Sequence, residues 1–81
     1  MRTLRDAVGD IYLQVQAPAW AAPNLDGLAD VLRDLSWLPP GPVPVHVPAV
    51  AGQDLTRLVA LLGGVELETA NLPHPVWVIV G

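Results

Sequence analysis

Asn24-Leu25-Asp26-Gly27-Leu28-Ala29-Asp30-Val31-Leu32-Arg33-Asp34-Leu35-Ser36-Trp37-Leu38, followed at once by Pro39-Pro40-Gly41, is the stretch from which the rest of this 81-residue chain is read. Leu25, Leu28, Leu32 and Leu35 recur at three- and four-residue spacing, which places them on one face of a helix. That face is a core face. Asp26, Asp30 and Asp34 fall on nearly the opposite side, with Arg33 at its margin, as an acidic stripe turned to water. Asn24 stands where a side-chain oxygen can accept one of the backbone N–H groups that a first helical turn leaves unpaired, so the helix starts there. Read from charge pattern alone, the stripe is a solvated face. Three carboxylates on successive turns still repel each other by about 0.2–0.5 kcal/mol per pair, with one basic residue to relieve them. A positive partner would complete the set.

Eight acidic residues face four arginines and no lysine, for a net charge of −4 and a pI near 4.6. Such a surface repels phosphate backbones and attracts basic proteins. Nucleic acid is therefore a poor direct ligand, whereas an enzyme that itself binds nucleic acid is a good one. Apolar residues make up 52% of the chain and mean hydropathy is +0.43, which excludes disorder as the default. With room for one modest core, residues 1–81 are expected to form a single domain, a monomer when free. No apolar run reaches the eighteen or so residues that span a bilayer. Met1 to Asp6 lack a hydrophobic signal core, so a soluble, cytoplasmic protein is expected. With no cysteine, disulfides and thiolate metal sites are out of reach.

Outside the central helix, Thr3 to Val8 reads as a short helix with Thr3 and Asp6 as a capping pair, stopped by Gly9. Ile11 to Gln16 then alternates as a strand would. Its rival is one longer helix, because Leu4, Ala7, Val8, Ile11 and Val15 also suit a 3.6-residue period. Gly9 and the β-branched Ile11 and Val15 tip the balance toward the strand. Ala17 to Pro23 is a loop bracketed by Pro18 and Pro23, with Trp20 in its middle, partly exposed either as a packed side chain or as a contact residue. Val43, Val45 and Val47 alternate with Pro42, Pro44, His46 and Pro48, which makes an edge strand whose missing N–H groups lie along one side. Gln53 to Leu62 is the second clear helix, with Leu55, Leu58, Val59 and Leu62 on one face and Gly63-Gly64 as its stop. Because those glycines follow a helix instead of preceding one, they do not form a phosphate loop. Val65 to Thr69 reads as a short strand or an extended connection, and Val76 to Val80 closes the chain as a strand covered on both faces. His46 lacks ligand-type neighbours at metal spacing, and His74 sits in an exposed turn; neither is assigned a metal or catalytic role. No cofactor is implied.

The residues from Asn24 to Leu38, entered from an aromatic loop, resemble the signature helix of the barstar family, intracellular protein inhibitors of secreted barnase-type ribonucleases. The likeness is dense over fifteen to twenty residues and loose elsewhere, although the short apolar strand at the end also fits. It implies an α/β, barstar-like fold: a small three-stranded parallel sheet packed with helices, the first strand in the middle and the others at the edges. The apolar pattern of Val76 to Val80 instead favours a central place for the last strand. By resemblance, Asp30 matches the family's central contact aspartate, Asp26 a flanking one, Asn24 the residue at the helix start and Trp20 the loop aromatic. Ala29 occupies a partner-facing position where barstar has a tryptophan, Ala21 lacks a second aromatic, and Ala22 replaces the usual glycine. The family also uses a glutamate nearer the C-terminus, which neither Glu66 nor Glu68 matches securely.

The function expected is inhibition of a basic ribonuclease, an immunity role in which Asp26 and Asp30 stand in for RNA phosphate. The alternative is a barstar-fold interaction module for another cationic protein that is not a nuclease. Acid/base catalysis by Asp26 and Asp30 is a third reading, opposed by an exposed helix face that offers no enclosed pocket.

Overall fold

The computed structural model describes residues 3–80; Met1 and Arg2, part of the segment read for an export signal, and Gly81 lie outside them. The elements run α1 (Leu4–Val15), α2 (Leu25–Asp34), β1 (Val43–His46), α3 (Gly52–Thr69) and β2 (Val76–Ile79). The two strands pair in parallel, Val43 opposite Val76 and His46 opposite Ile79. The helices cover one face of this sheet. α3 packs on both α2 and β2, while α1 packs on β1.

Leu4 to Val15 is one helix, so the strand expected over Ile11 to Gln16 is corrected. Thr3 and Asp6 form the expected capping box, each side chain bonded to the other's backbone N–H at 3.1 Å. Ala7, Val8, Ile11 and Val15 are all buried along one helical face, and that continuous stripe outweighs the β preference of Ile11 and Val15. Gly9 does not interrupt it. The turn comes instead at Gln16, whose left-handed backbone (φ 56°) ends the helix.

α3 likewise runs through Gly63-Gly64, which the sequence marks as a stop, and takes in Val65 to Thr69, which the sequence marks as extended. The reason is the buried face, which is Leu58, Leu62, Val65 and Thr69, while Leu55 and Val59 stand partly exposed. Two further turns of apolar contact outweigh a glycine pair that costs about 1 kcal/mol per residue relative to alanine. Neither glycine takes a positive φ. A Cβ added at Gly63 meets nothing within 4 Å. Gly63→Ala is therefore expected to raise stability by about 0.5–1 kcal/mol in thermal or urea unfolding; a loss would mean that the helix does not pass through this point.

With one predicted strand folded as helix, the described residues contain a two-stranded sheet, and the expected three-stranded order falls away. β1 and β2 are direct neighbours. The alternation of valine and proline is used as the sequence suggests: Val43 and Val47 donate their N–H groups to the Pro75 and Ile79 carbonyls across the ladder, and Pro44 needs no partner on the outer side. Each outer edge is then closed by side chains. The Gln14 carboxamide of α1 accepts from the His46 N–H at 2.8 Å and donates to the His46 carbonyl at 2.9 Å. On the far side, the Val76 N–H donates to the Thr69 hydroxyl at 2.9 Å and the Val78 N–H to the Glu66 carboxylate at 2.7 Å. Unpaired edge groups invite other chains, and these three side chains satisfy them from within.

α2 sits against this base, with Leu28, Val31, Leu32 and Leu35 buried. Leu35 ends the helix in the left-handed region (φ 48°), an arrangement that costs a non-glycine residue about 1–2 kcal/mol and is held by the complete burial of its side chain. Among the described residues no helix is long and apolar enough to cross a membrane.

Candidate functional site

Three segments converge at the exposed side of α2: the helix, the loop leading into it, and the second half of α3. Asn24 caps the helix as expected, its Oδ1 accepting from the Gly27 N–H at 2.7 Å. The loop is pinned at Ala22. Its carbonyl oxygen accepts from the Asn24 N–H at 2.9 Å and from the Tyr12 hydroxyl of α1. Gly27 makes this close approach possible, because a Cβ there would lie 2.4 Å from that same oxygen.

Trp20 stands 63% exposed in the loop. Its ring meets Trp37 edge to face, centroids 6.3 Å apart at 86°, an arrangement that favours aromatic pairs. Trp37 is itself fixed, donating from Nε1 to the Val15 carbonyl at 3.0 Å. Trp20 is packed along one edge, and its remaining surface is open.

Asp26, Asp30 and Asp34 are exposed along α2, as the spacing predicts. A cleft of about 460 Å³ separates α2 from α3; Asp26, Asp30 and Glu68 line its rim, and Ala29, Leu61 and Val65 are among the residues below. Ala29 is 8% exposed, so it contributes a floor and no projecting side chain. Asp30 reaches only a loose contact with Arg33, 4.0 Å from Nη1. Arg33 commits its fork to Glu68 instead, with Nε at 2.7 Å and Nη2 at 3.2 Å from the two carboxylate oxygens. Hydrogen bonding from Arg33 holds the Glu68 carboxyl below its usual range, with the guanidinium charge adding to it. The pair therefore stays ionised as pH falls below the ordinary glutamate range, and only further acid releases it.

Glu68 is the cleft residue that sequence reading names but does not place. Its position beside Asp30 depends on α3 continuing past Gly63-Gly64, and the glycine pair conceals that continuation. Glu66, two residues earlier and on nearly the opposite side of the helix, faces the sheet instead and caps Val78.

Tyr12 joins the loop to the acidic stripe. Burial pushes its pKa above the ordinary tyrosine value, and the negative field of Asp30 adds to the rise. A raised pKa means that the neutral phenol is the form the fold favours, so its contribution to stability is whole below about pH 10 and is lost as pH rises through the folded-state value. Once pH passes that raised value, the phenolate can no longer donate to Ala22. Indole fluorescence is expected to report loop release there in the native chain, with no such step in Tyr12→Phe. An identical alkaline step in both would show that Tyr12 does not hold the loop.

His74, expected in an exposed turn, is half-buried, and its Nε2 lies 2.7 Å from the Leu38 carbonyl oxygen, tying the β2 approach to the end of the α2 segment. His46 points outward from β1. Among the described residues no group of three histidine, aspartate or glutamate side chains is placed to hold a metal ion.

The site is thus an open acidic cleft beside an anchored aromatic loop, a surface that offers carboxylates to a cation and no enclosed volume for chemistry on a small molecule. Comparison with known proteins gives one finding of weight: a family model described as Barstar (barnase inhibitor) matches residues 1–81, the whole chain. No curated protein and no solved structure matches it significantly.

Proposed function

The chain belongs to the barstar family of barnase inhibitors, and from that premise we propose that it is the immunity protein of a basic, barnase-type ribonuclease in the cytoplasm. Its action is occupation, with no bond made or broken. A ribonuclease active site gathers arginine and histidine side chains around the RNA phosphate. Carboxylates delivered on a rigid helix form charge-assisted hydrogen bonds with the same groups and exclude the substrate.

One observation carries this reading: Asp30 stands exposed at the cleft rim, with no cation closer than 4.0 Å among the described residues. Asp26 flanks it on the same rim. Trp20 offers an indole surface from a loop already pinned to α1 and α2, so little ordering entropy is left to lose on binding. Asn24 serves by shaping the helix start, since its side chain is engaged with Gly27.

Titrating the chain into a barnase-type ribonuclease while following RNA cleavage tests the proposal. Activity is expected to fall to zero at one equivalent. Undiminished cleavage at a large excess of the chain would rule the inhibitor role out.

The second reading, an interaction module for a cationic protein that is not a nuclease, is favoured by Ala21 and by the recessed Ala29, two methyl groups where the family offers aromatic rings. A co-purified partner that cleaves RNA decides for the first reading, and an inert one for the second.

A further inference from the structure

We propose that Arg33 sets the specificity of the acidic cleft by occupying it from within: its guanidinium engages Glu68 and leaves Asp26 and Asp30 as the cleft carboxylates open to a partner's cation. This rests on the cleft being the binding surface proposed above, and it adds which cations that surface accepts.

The geometry is specific. Arg33 lies on α2 one turn after Asp30 and points across the cleft to α3, where two of its nitrogens meet the two oxygens of Glu68 at 2.7 and 3.2 Å. Planar two-point pairing of this kind is a strong arrangement for a carboxylate, here between two half-exposed side chains, and an arriving arginine must displace Arg33 to reproduce it. The third nitrogen is 4.0 Å from Asp30, too far for a hydrogen bond. Asp30 therefore keeps its acceptor sites, while each oxygen of the half-exposed Glu68 already has one lone pair engaged by Arg33. Three carboxylates and one guanidinium line the cleft, so its charge falls from −3 to −2, and what remains lies at the end nearer the loop.

A partner carrying one prominent cation meets this surface well. A partner with a second cation spaced to reach Glu68 meets the charge of Arg33 instead. Arg33 thus works by exclusion, the repulsive half of a specificity device.

The test compares the native chain with Arg33→Gln, Glu68→Gln and the double variant, using two probes: a barnase-type ribonuclease, and a short arginine peptide followed by NMR shifts at residue 68. Arg33→Gln is expected to tighten ribonuclease binding at least about tenfold at low salt, by freeing a carboxylate and removing a repelling charge. The gain should vanish when Glu68→Gln is added. The peptide should perturb residue 68 in Arg33→Gln and leave it unmoved in the native chain. Melting temperatures of all four proteins show that each is folded under the conditions used.

Failures of the two readings look different. If no variant binds the ribonuclease while the peptide still reaches residue 68 only in Arg33→Gln, the inhibitor role falls and the exclusion stands. If the native chain inhibits the ribonuclease but Arg33→Gln binds it equally or more weakly, the exclusion is overturned and the inhibitor role stands. A peptide that perturbs residue 68 equally in both proteins also overturns it.

Discussion

Asp30→Ala is expected to weaken binding to a barnase-type ribonuclease by more than about 2 kcal/mol, roughly a thirtyfold rise in Kd, while leaving the fold intact. Two kcal/mol is the level at which an interface residue counts as a hot spot, and the barnase–barstar interface is itself one of the systems on which that scale rests. The fold should not notice the change. Asp30 is exposed, and its one ion pair is a 4.0 Å surface contact, a class worth about 0–1 kcal/mol. In the proposed complex the same carboxylate would be taken out of water against cationic groups that otherwise hold phosphate. Its removal leaves those groups buried and unpaired, which is where the large cost arises. Asp34→Ala supplies the control. It belongs to the same acidic stripe but not to the cleft lining, and a surface charge outside the contact should change affinity by less than about 0.5 kcal/mol. Calorimetric titration of the two variants separates a local contact from a general acidic field. Equal losses for both would mean that net charge, and not Asp30, drives the association.

Gly27→Ala should destabilise the chain by about 1–3 kcal/mol, the ordinary range for forcing an extra methyl into a filled space. The sign is what makes this informative. In the middle of a helix the same substitution normally gains up to about 1 kcal/mol, as expected at Gly63. At Gly27 the new methyl would sit 2.4 Å from the Ala22 carbonyl oxygen, so either the helix or the loop must move. The loop is the weaker of the two, held at that oxygen by Tyr12 and Asn24. Melting should fall by about 4–8 °C for each kcal/mol lost in a domain of this size. The indole fluorescence of Trp20 should change with it. Ribonuclease affinity should fall as well, although Gly27 offers no side chain to a partner, because the loop would no longer be set before binding. A stabilised Gly27→Ala protein would show that loop and helix are not in contact. Here Ala22 carries a methyl group and Gly27 does not, and the close approach explains why both positions do not carry one.

The central helix was legible because its information is local. Leu28, Leu32 and Leu35 are buried, Asp26, Asp30 and Asp34 are exposed, and Asn24 caps the first turn, all as the spacing dictates. The proline-bearing strand was legible for the same reason, since Pro42, Pro44 and Pro48 alternate with valines and remove donors from one side, leaving the other for the ladder. The first sixteen residues and the second half of α3 were not. Both contain glycines that favour interruption and β-branched residues that favour strand, preferences worth about 1 kcal/mol or less apiece. Burying a whole face of apolar side chains outweighs them, and the neighbours that bury it are remote in the chain.

By itself the sequence determined that an acidic, carboxylate-bearing helix faces water behind an aromatic loop, because helical period and capping act within four residues. Only the tertiary structure decided that α1 and α3 run unbroken, that two strands and not three make the sheet, and that Glu68 meets Arg33 beside Asp30. Each of those outcomes turns on contacts between segments 35 or so residues apart, as Arg33 and Glu68 are, and no local preference of about 1 kcal/mol survives against the burial such contacts bring.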